Sequence, residues 1–188
     1  MGSVDGEGGL VSGPPASPSV GLRRGTVRVD HYTELWAAEF ECERERLDTR
    51  LGERLLAIEH IGSTSIPGLA ATPLIDMQAA VESLDQVDDI LVVLRAMGYS
   101  LMPERVYPDR VFLPKGPEQR RTHHLNLVRF DSDRWRDPLT FRDRLRSDSV
   151  LRDRYAALKS GLAEEHPNDR DAYTDGKAEF IGAVLGRS

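Results

Sequence analysis

The run Ile58-Glu59-His60-Ile61-Gly62-Ser63-Thr64-Ser65-Ile66-Pro67-Gly68-Leu69, followed closely by Thr72-Pro73-Leu74-Ile75-Asp76-Met77-Gln78, decides how the chain is read. It begins as a short apolar strand and enters a turn of glycine and small hydroxyl residues. After a Pro-Gly corner it returns as a second strand carrying one carboxylate. A turn of this composition leaves backbone N–H groups and hydroxyls unencumbered, which suits phosphate or carboxylate oxygens. Gly62, Ser63, Thr64 and Ser65 are therefore candidate anion contacts. Asp76 stands where a divalent ion bridging such oxygens would want an acidic ligand. Gly-Ser-Thr-Ser alone also describes ordinary loops; its coupling to an acid on the next strand is the stronger signal.

Alternation along that second strand puts Leu74, Asp76, Gln78 and Ala80 on one face and Ile75, Met77, Ala79 and Val81 on the other. An acid and an amide on one face, just after the turn, form a candidate site wall. The competing reading is an ion-pair partner for one of the chain's many arginines. Further on, Arg121 to Phe130 alternates again, with Thr122, His124, Asn126 and Val128 opposite His123, Leu125, Leu127 and Arg129. Adjacent histidines on a strand face opposite ways, so His123 and His124 do not form a metal pair by themselves. A lone histidine in such a place is more often a core residue than a ligand. Laid beside Asp76, however, Arg121, His124 and Asn126 would supply donors to an anion.

The rest of the chain supplies helices and short strands. Tyr32, Trp36, Phe40, Leu47 and Leu51 recur at helical spacing, and Gly52 is a stop. Ser83, with Gln86 as a capping box, opens a second helix built on Val87, Ile90, Leu91 and Leu94 and closed by Gly98. Tyr99–Met102 and Arg110–Leu113 read as strands, and Lys115-Gly116-Pro117-Glu118 as a turn. From Asp137 the pattern is helical. One helix holds Leu139, Arg142, Leu145 and Arg146, and a second runs from Val150 to Leu162. After the His166-Pro167-Asn168 break, a third carries Tyr173, Lys177, Phe180, Ile181 and Val184. For Arg142, Arg146 and Lys159 a solvated position competes with an anion contact. Lys177 shares a face with Tyr173 and Phe180, and a lysine there needs a snorkelling route or an anion.

A chain of 188 residues, 39% apolar and 30% charged, suits one globular domain. Its net charge of −6 excludes a general binder of nucleic-acid polymers, which needs a basic face, but allows a single nucleotide in a local basic pocket. Cys42 is the one cysteine, so no internal disulfide forms, and a reducing, cytoplasmic setting is expected. No apolar run is long enough to span a bilayer. Residues 1–25, rich in Gly, Pro and Ser, read as a disordered leader rather than a secretory signal, and residues 26–188 as the folded domain.

The run from Ile58 to Ala71, with Pro73-Leu74-Ile75-Asp76 after it, closely resembles the signature of the GrpB family. Arg121-Thr122-His123-His124-Leu125, Phe141-Arg142-Asp143, Tyr155-Ala156-Ala157-Leu158-Lys159 and Tyr173…Lys177…Phe180-Ile181 follow in the family's order. GrpB-like domains fall in the nucleotidyltransferase superfamily of the DNA polymerase beta type and also occur fused behind dephospho-CoA kinase in actinobacteria. The resemblance implies an α/β (α+β) fold: a nucleotidyltransferase-like mixed sheet flanked by helices, with the C-terminal helices packed on the core. In active superfamily members the turn holds a nucleoside triphosphate, and two or three carboxylates bind magnesium.

Two readings follow. In one, the protein is an enzyme transferring a nucleotidyl group to a small molecule. Asp76 carries Mg²⁺ and acts with His124 in catalysis, while Gly62, Ser63, Thr64, Ser65, Gln78, Arg121, His123, Asn126 and Lys177 contact the ligand. In the other it is a metabolite-binding or regulatory module. The second draws on two departures from the superfamily pattern: Gln78 stands where a second acid is wanted, and His124 and Asn126 where a third would fall.

Overall fold

The computed structural model describes residues 20–102 and 106–187. The first helix, α1 (Leu35–Leu51), buries Trp36, Phe40, Leu47 and Leu51 along one stripe and ends at Gly52, whose φ of +50° stops the helix. Glu43 lies in the same buried stripe. A carboxylate there needs partners, and Lys115 (2.5 Å) and the Tyr99 hydroxyl (2.9 Å) both donate to it.

Strand β1 (Ala57–Ile61) leads through a single 3₁₀ turn, Ser63–Ser65, to β2 (Ile75–Val81). Helix α2 (Asp88–Ala96), β3 (Val106–Tyr107), β4 (Arg110–Lys115) and β5 (His123–Arg129) follow, then α3 (Asp133–Ser147), α4 (Ser149–Glu165), α5 (Arg170–Asp175) and α6 (Ala178–Val184). The strands form one sheet in the order β1-β2-β5-β4-β3. β2 pairs antiparallel with β1 and parallel with β5, and β4 runs antiparallel to both β5 and β3. This is the mixed α/β sheet flanked by helices that the resemblance implied.

The two faces of the sheet have separate roles. Ile75, Met77 and Ala79 of β2, with Leu125 and Leu127 of β5, join the α1 and α2 side chains in the main core. The opposite face carries Asp76, Gln78 and Ala80 beside His124, Asn126 and Val128. Trp135 of α3 covers its far end, packing on Ala80 and Val128. The near end, at Asp76, meets the C-terminal helices. There Ile66 and Leu69 from the Pro-Gly corner are buried with Leu145, Tyr155 and Val184, so the C-terminal flank of the turn is anchored by hydrophobic packing.

Several expectations change. Tyr99–Met102 is not a strand; Tyr99 makes one isolated bridge, to Lys115, because its ring and hydroxyl are drawn into the core toward Glu43. The strand that pairs with β4 on that side is Val106–Tyr107. Ser83 caps a short 3₁₀ turn through the N–H of Asp85 rather than α2 itself, which starts at Asp88. The first C-terminal helix begins at Asp133 under a Ser132 cap, and the last is split into α5 and α6 around Gly176 and Lys177. The expected leader lies outside the described residues up to position 19. Within its remainder, Val20 and Leu22 are buried, Gly21 N–H donates to Pro73 O (2.8 Å), and Leu22 bridges Arg121. Folded structure therefore starts before residue 26, because this strap satisfies backbone groups that Pro73 and Arg121 would otherwise expose.

Candidate functional site

The parallel pairing of β2 with β5 places Asp76 opposite His124. His124 Nδ1 donates to Asp76 Oδ1 at 3.0 Å, which leaves Nε2 for chemistry, the arrangement in which a carboxylate fixes tautomer and ring orientation. The Asp76 side chain keeps 35% of its surface exposed, so it is not walled inside hydrocarbon. Burial raises its pKa. The hydrogen bond and charge of His124, with the charges of Arg170 and Lys177, outweigh that and hold the carboxyl below its usual range.

The turn lies against this acid. Gly62 has φ +69° and ψ −172°, a region nearly reserved for glycine, and a Cβ there would sit 2.6 Å from Asp76 Oδ2. Glycine is thus needed both for the backbone angle and for the approach. Tyr155, beside Ser63, stacks its ring on Phe180 with 5.2 Å between centroids, and burial raises the phenol's pKa.

Cations close the other side. Lys159 is 1% exposed, donates to Ala70 O at 2.5 Å and lies 5.2 Å from the centre of the Tyr155 ring. Burial drives its pKa down to about 7; the charge of Lys177 pushes the same way and Asp76 opposes. Lys177 sits 4.2 Å over the Tyr173 ring and is lowered to about 8 by burial and then by Arg170, again against Asp76. Tyr173 is itself buried, which raises its phenol's pKa. Arg170 Nη1 is buried with no hydrogen-bond partner among the described residues. Three cations thus surround one carboxylate, and the cluster carries a surplus of positive charge.

Of the residues put forward from sequence, Gly62, Ser63, Asp76, His124 and Lys177 come together here. Arg121 is close by: it donates to Gly116 O and lines, with His124 and Arg170, a cavity of about 260 Å³. Asn126 is on the same face, two residues along, donating to Met77 O at 3.3 Å, with its Oδ1 buried and unpaired.

The others are elsewhere. Thr64 is buried, donating to Leu74 O (3.1 Å) and bonded to His60 Nε2 (3.0 Å), so it staples the turn to β2. Ser65 Oγ donates back to Gly62 O at 2.6 Å. Gln78 is 1% exposed and donates to Trp135 O at 2.8 Å, because α3 covers the sheet at that position. His123 points into the opposite face near Glu43 and Lys115, and burial lowers it to about 4. Arg142 and Arg146 brace the framework. Arg142 donates to Glu59 (2.7 Å) and His60 O (2.9 Å), and Arg146 makes two bonds to Ser65 O.

Arg170, Tyr155 and Tyr173 carry much of the site without a sequence reading that assigns them to it, and Lys159, for which a solvated position competed with an anion contact, is buried in it. A signal was present: Tyr155-x-x-x-Lys159 and Tyr173-x-x-x-Lys177 repeat one spacing, and in both the ammonium lies over its own tyrosine ring.

The donor set does not fit a pair of magnesium ions. Asp76 is a lone carboxylate with one oxygen committed to His124, and Gln78 is turned into the packing under α3. Among the described residues no group of three or more His, Cys, Asp or Glu side chains is placed to hold a metal ion.

The model of the GrpB protein family matches residues 26–187. UPF0157 protein YqkA of Bacillus subtilis is 39% identical over 155 residues, 82% of this chain but 45% of that protein, so the chain spans about half of that relative's length. Glutamate-rich protein GrpB of Alkalihalophilus pseudofirmus is 32% identical over 88% of this chain and 98% of its own. The crystal structure of conserved protein GrpB from Enterococcus faecalis superposes with a TM-score of 0.77 at 38% identity, covering 85% of this chain and 95% of that one. The turn against Asp76, the mixed sheet and the matched span agree: the chain belongs to the GrpB protein family, whose fold is shared with nucleotidyltransferase-like proteins.

Proposed function

We propose that this GrpB-family chain binds a small phosphate-bearing ligand of the nucleotide or phosphate-ester class in the cation cluster around Asp76, without a resident metal ion. The observation that carries the reading is Lys159: a lysine withdrawn from water with no carboxylate hydrogen-bonded to it among the described residues, beside a second depressed lysine and an arginine whose Nη1 is unpaired among them. Buried cations of this kind are costly alone and favourable once an anion arrives. Ser63 and the Gly62 backbone face the ligand's oxygens, and the Asp76–His124 pair supplies a base held in one tautomer. With a net charge of −6 on the whole chain, the positive potential is local, which suits a small molecule better than a nucleic-acid polymer in a cytoplasmic setting.

The shared nucleotidyltransferase-like fold favours a second reading, nucleotidyl transfer to a small acceptor with one Mg²⁺ held by Asp76 and the ligand's own phosphates. Thermal melting separates the two. Inorganic phosphate, AMP and ATP are each added with Mg²⁺ and with EDTA, and a ligand at ~100 Kd raises stability by about 2.7 kcal/mol. Stabilisation that survives EDTA is expected. Stabilisation by ATP that requires Mg²⁺ and disappears in Asp76→Ala would establish the metal-dependent reading instead.

A further inference from the structure

The cavity beside His124 is not explained by anion binding alone. It lies between the N-terminal strap and the sheet, and Leu22, Leu74, Met102, Phe112 and Pro114 give it an apolar side. Its polar side is formed by His124, Asn168 and the guanidinium groups of Arg23, Arg24, Arg121 and Arg170, with Asp169 and Asp171 among them. His124 and Arg170 also belong to the charged cluster: one is bonded to Asp76, and the other acts on Asp76 and Lys177. The apolar cavity and the cation cluster therefore share two residues. Phe112 contacts His124 edge-on, with 5.1 Å between centroids, so the imidazole separates an apolar compartment from a charged one.

Resting on the anion reading above, we propose that this cavity seats the apolar ring of the same ligand. The ligand class is then a compact monophosphate ester of a single-ring compound, with its phosphate against Arg170 and the lysines and its ring between the strap and β4. Size supports the choice. At about 260 Å³ the cavity exceeds the roughly 150 Å³ that encloses a benzene ring, so a single ring fits within it. Chemistry supports it too, since one apolar wall facing a side with more guanidinium groups than carboxylates sorts an amphipathic anion into a single orientation. The strap matters here: Leu22 is held by its bridge to Arg121 and Gly21 by its bond to Pro73, so the wall is built into the fold.

Calorimetric titration of the full chain with inorganic phosphate, phenyl phosphate and ATP tests this. Phenyl phosphate should bind at least about tenfold more tightly than inorganic phosphate, the gain expected from burying one ring. Met102→Trp, which fills the slot from its half-buried rim, should shrink that ratio below about threefold, and Phe112→Ala should shrink it as well by removing the wall. If phosphate binds and the ring adds nothing, this inference fails while the anion reading stands. If neither phosphate nor phenyl phosphate binds, both fail. ATP binding more tightly than phenyl phosphate would overturn the single-ring class.

Discussion

Asp76 and His124 face each other across parallel strands and share a 3.0 Å hydrogen bond, and around that pair the protein gathers Lys159, Lys177 and Arg170. The acid is outnumbered by cations it has to neutralise. Asp76→Asn should therefore lower stability by about 1–3 kcal/mol, since the histidine loses a charged acceptor and the cations lose their anion. The same change should tighten sulfate binding, because a negative charge leaves the site. Chemical denaturation and sulfate titration measure the two. Weaker sulfate binding in Asp76→Asn would show that the carboxylate is not an electrostatic competitor for the anion.

Gly62→Ala should cost about 1–3 kcal/mol from the backbone angle alone, with a further clash against Asp76 Oδ2 at 2.6 Å. Gly68, also at positive φ but with nothing near its missing Cβ, is the control. Gly68→Ala should bear only the conformational cost and leave the Asp76–His124 bond intact. His124 side-chain resonances by NMR would shift in the first variant and not in the second.

Lys159 gives a pH prediction with a definite sign. Its folded pKa of about 7 lies below the ordinary lysine value of 10.5, so between those values the unfolded chain binds more protons and stability rises with pH. Below about pH 7 the full cost of the buried charge is present. Lys159→Met should accordingly be more stable than the parent at pH 6, by about 1–3 kcal/mol after the lost bond to Ala70 O is counted. That advantage should fade by about pH 10. Urea melts of both proteins across that range check it, and an equal gain at all pH values would mean that burial leaves the pKa of Lys159 unshifted.

Anion affinity should run the other way. Binding favours the protonated forms of Lys159 and Lys177, whose pKa values are about 7 and about 8, so affinity should fall as pH rises through that interval. Sulfate is the suitable probe because its own charge is constant. A loss of about tenfold between pH 6 and pH 9 is expected, equivalent to about 1.4 kcal/mol. A flat profile would exclude the two lysines from the site.

At the acid end, His60 and His123 are both lowered to about 4 by burial, against an ordinary value of 6.5. The unfolded chain binds more protons between those values, so stability should drop as pH falls from about 6.5 toward 4. His123→Phe should reduce the steepness of that loss without altering sulfate binding, since His123 lies on the sheet face away from Asp76. A change in sulfate affinity would return His123 to the site.

The local sequence by itself determined the strand–turn–strand unit and which side chains share a strand face. Period-2 alternation and the glycine requirement at a tight bend are properties of short stretches, so Asp76 groups with Gln78 and His124 with Asn126 before any fold is known, whereas their meeting on one face needs the β2–β5 pairing. What covers that face could not be read. Gln78 and Asp76 are equivalent by alternation, yet one is sealed by Trp135 and the other opens to the site, because α3 ends its coverage between them. Thr64 and Ser65 likewise share the turn's composition but spend their hydroxyls inside it. Lys159 looked like any solvated lysine until α4 docked on the Pro-Gly corner and withdrew it from water. Burial is a relation between segments far apart in sequence, and only tertiary packing could decide which polar groups face a ligand and which are satisfied by the protein itself.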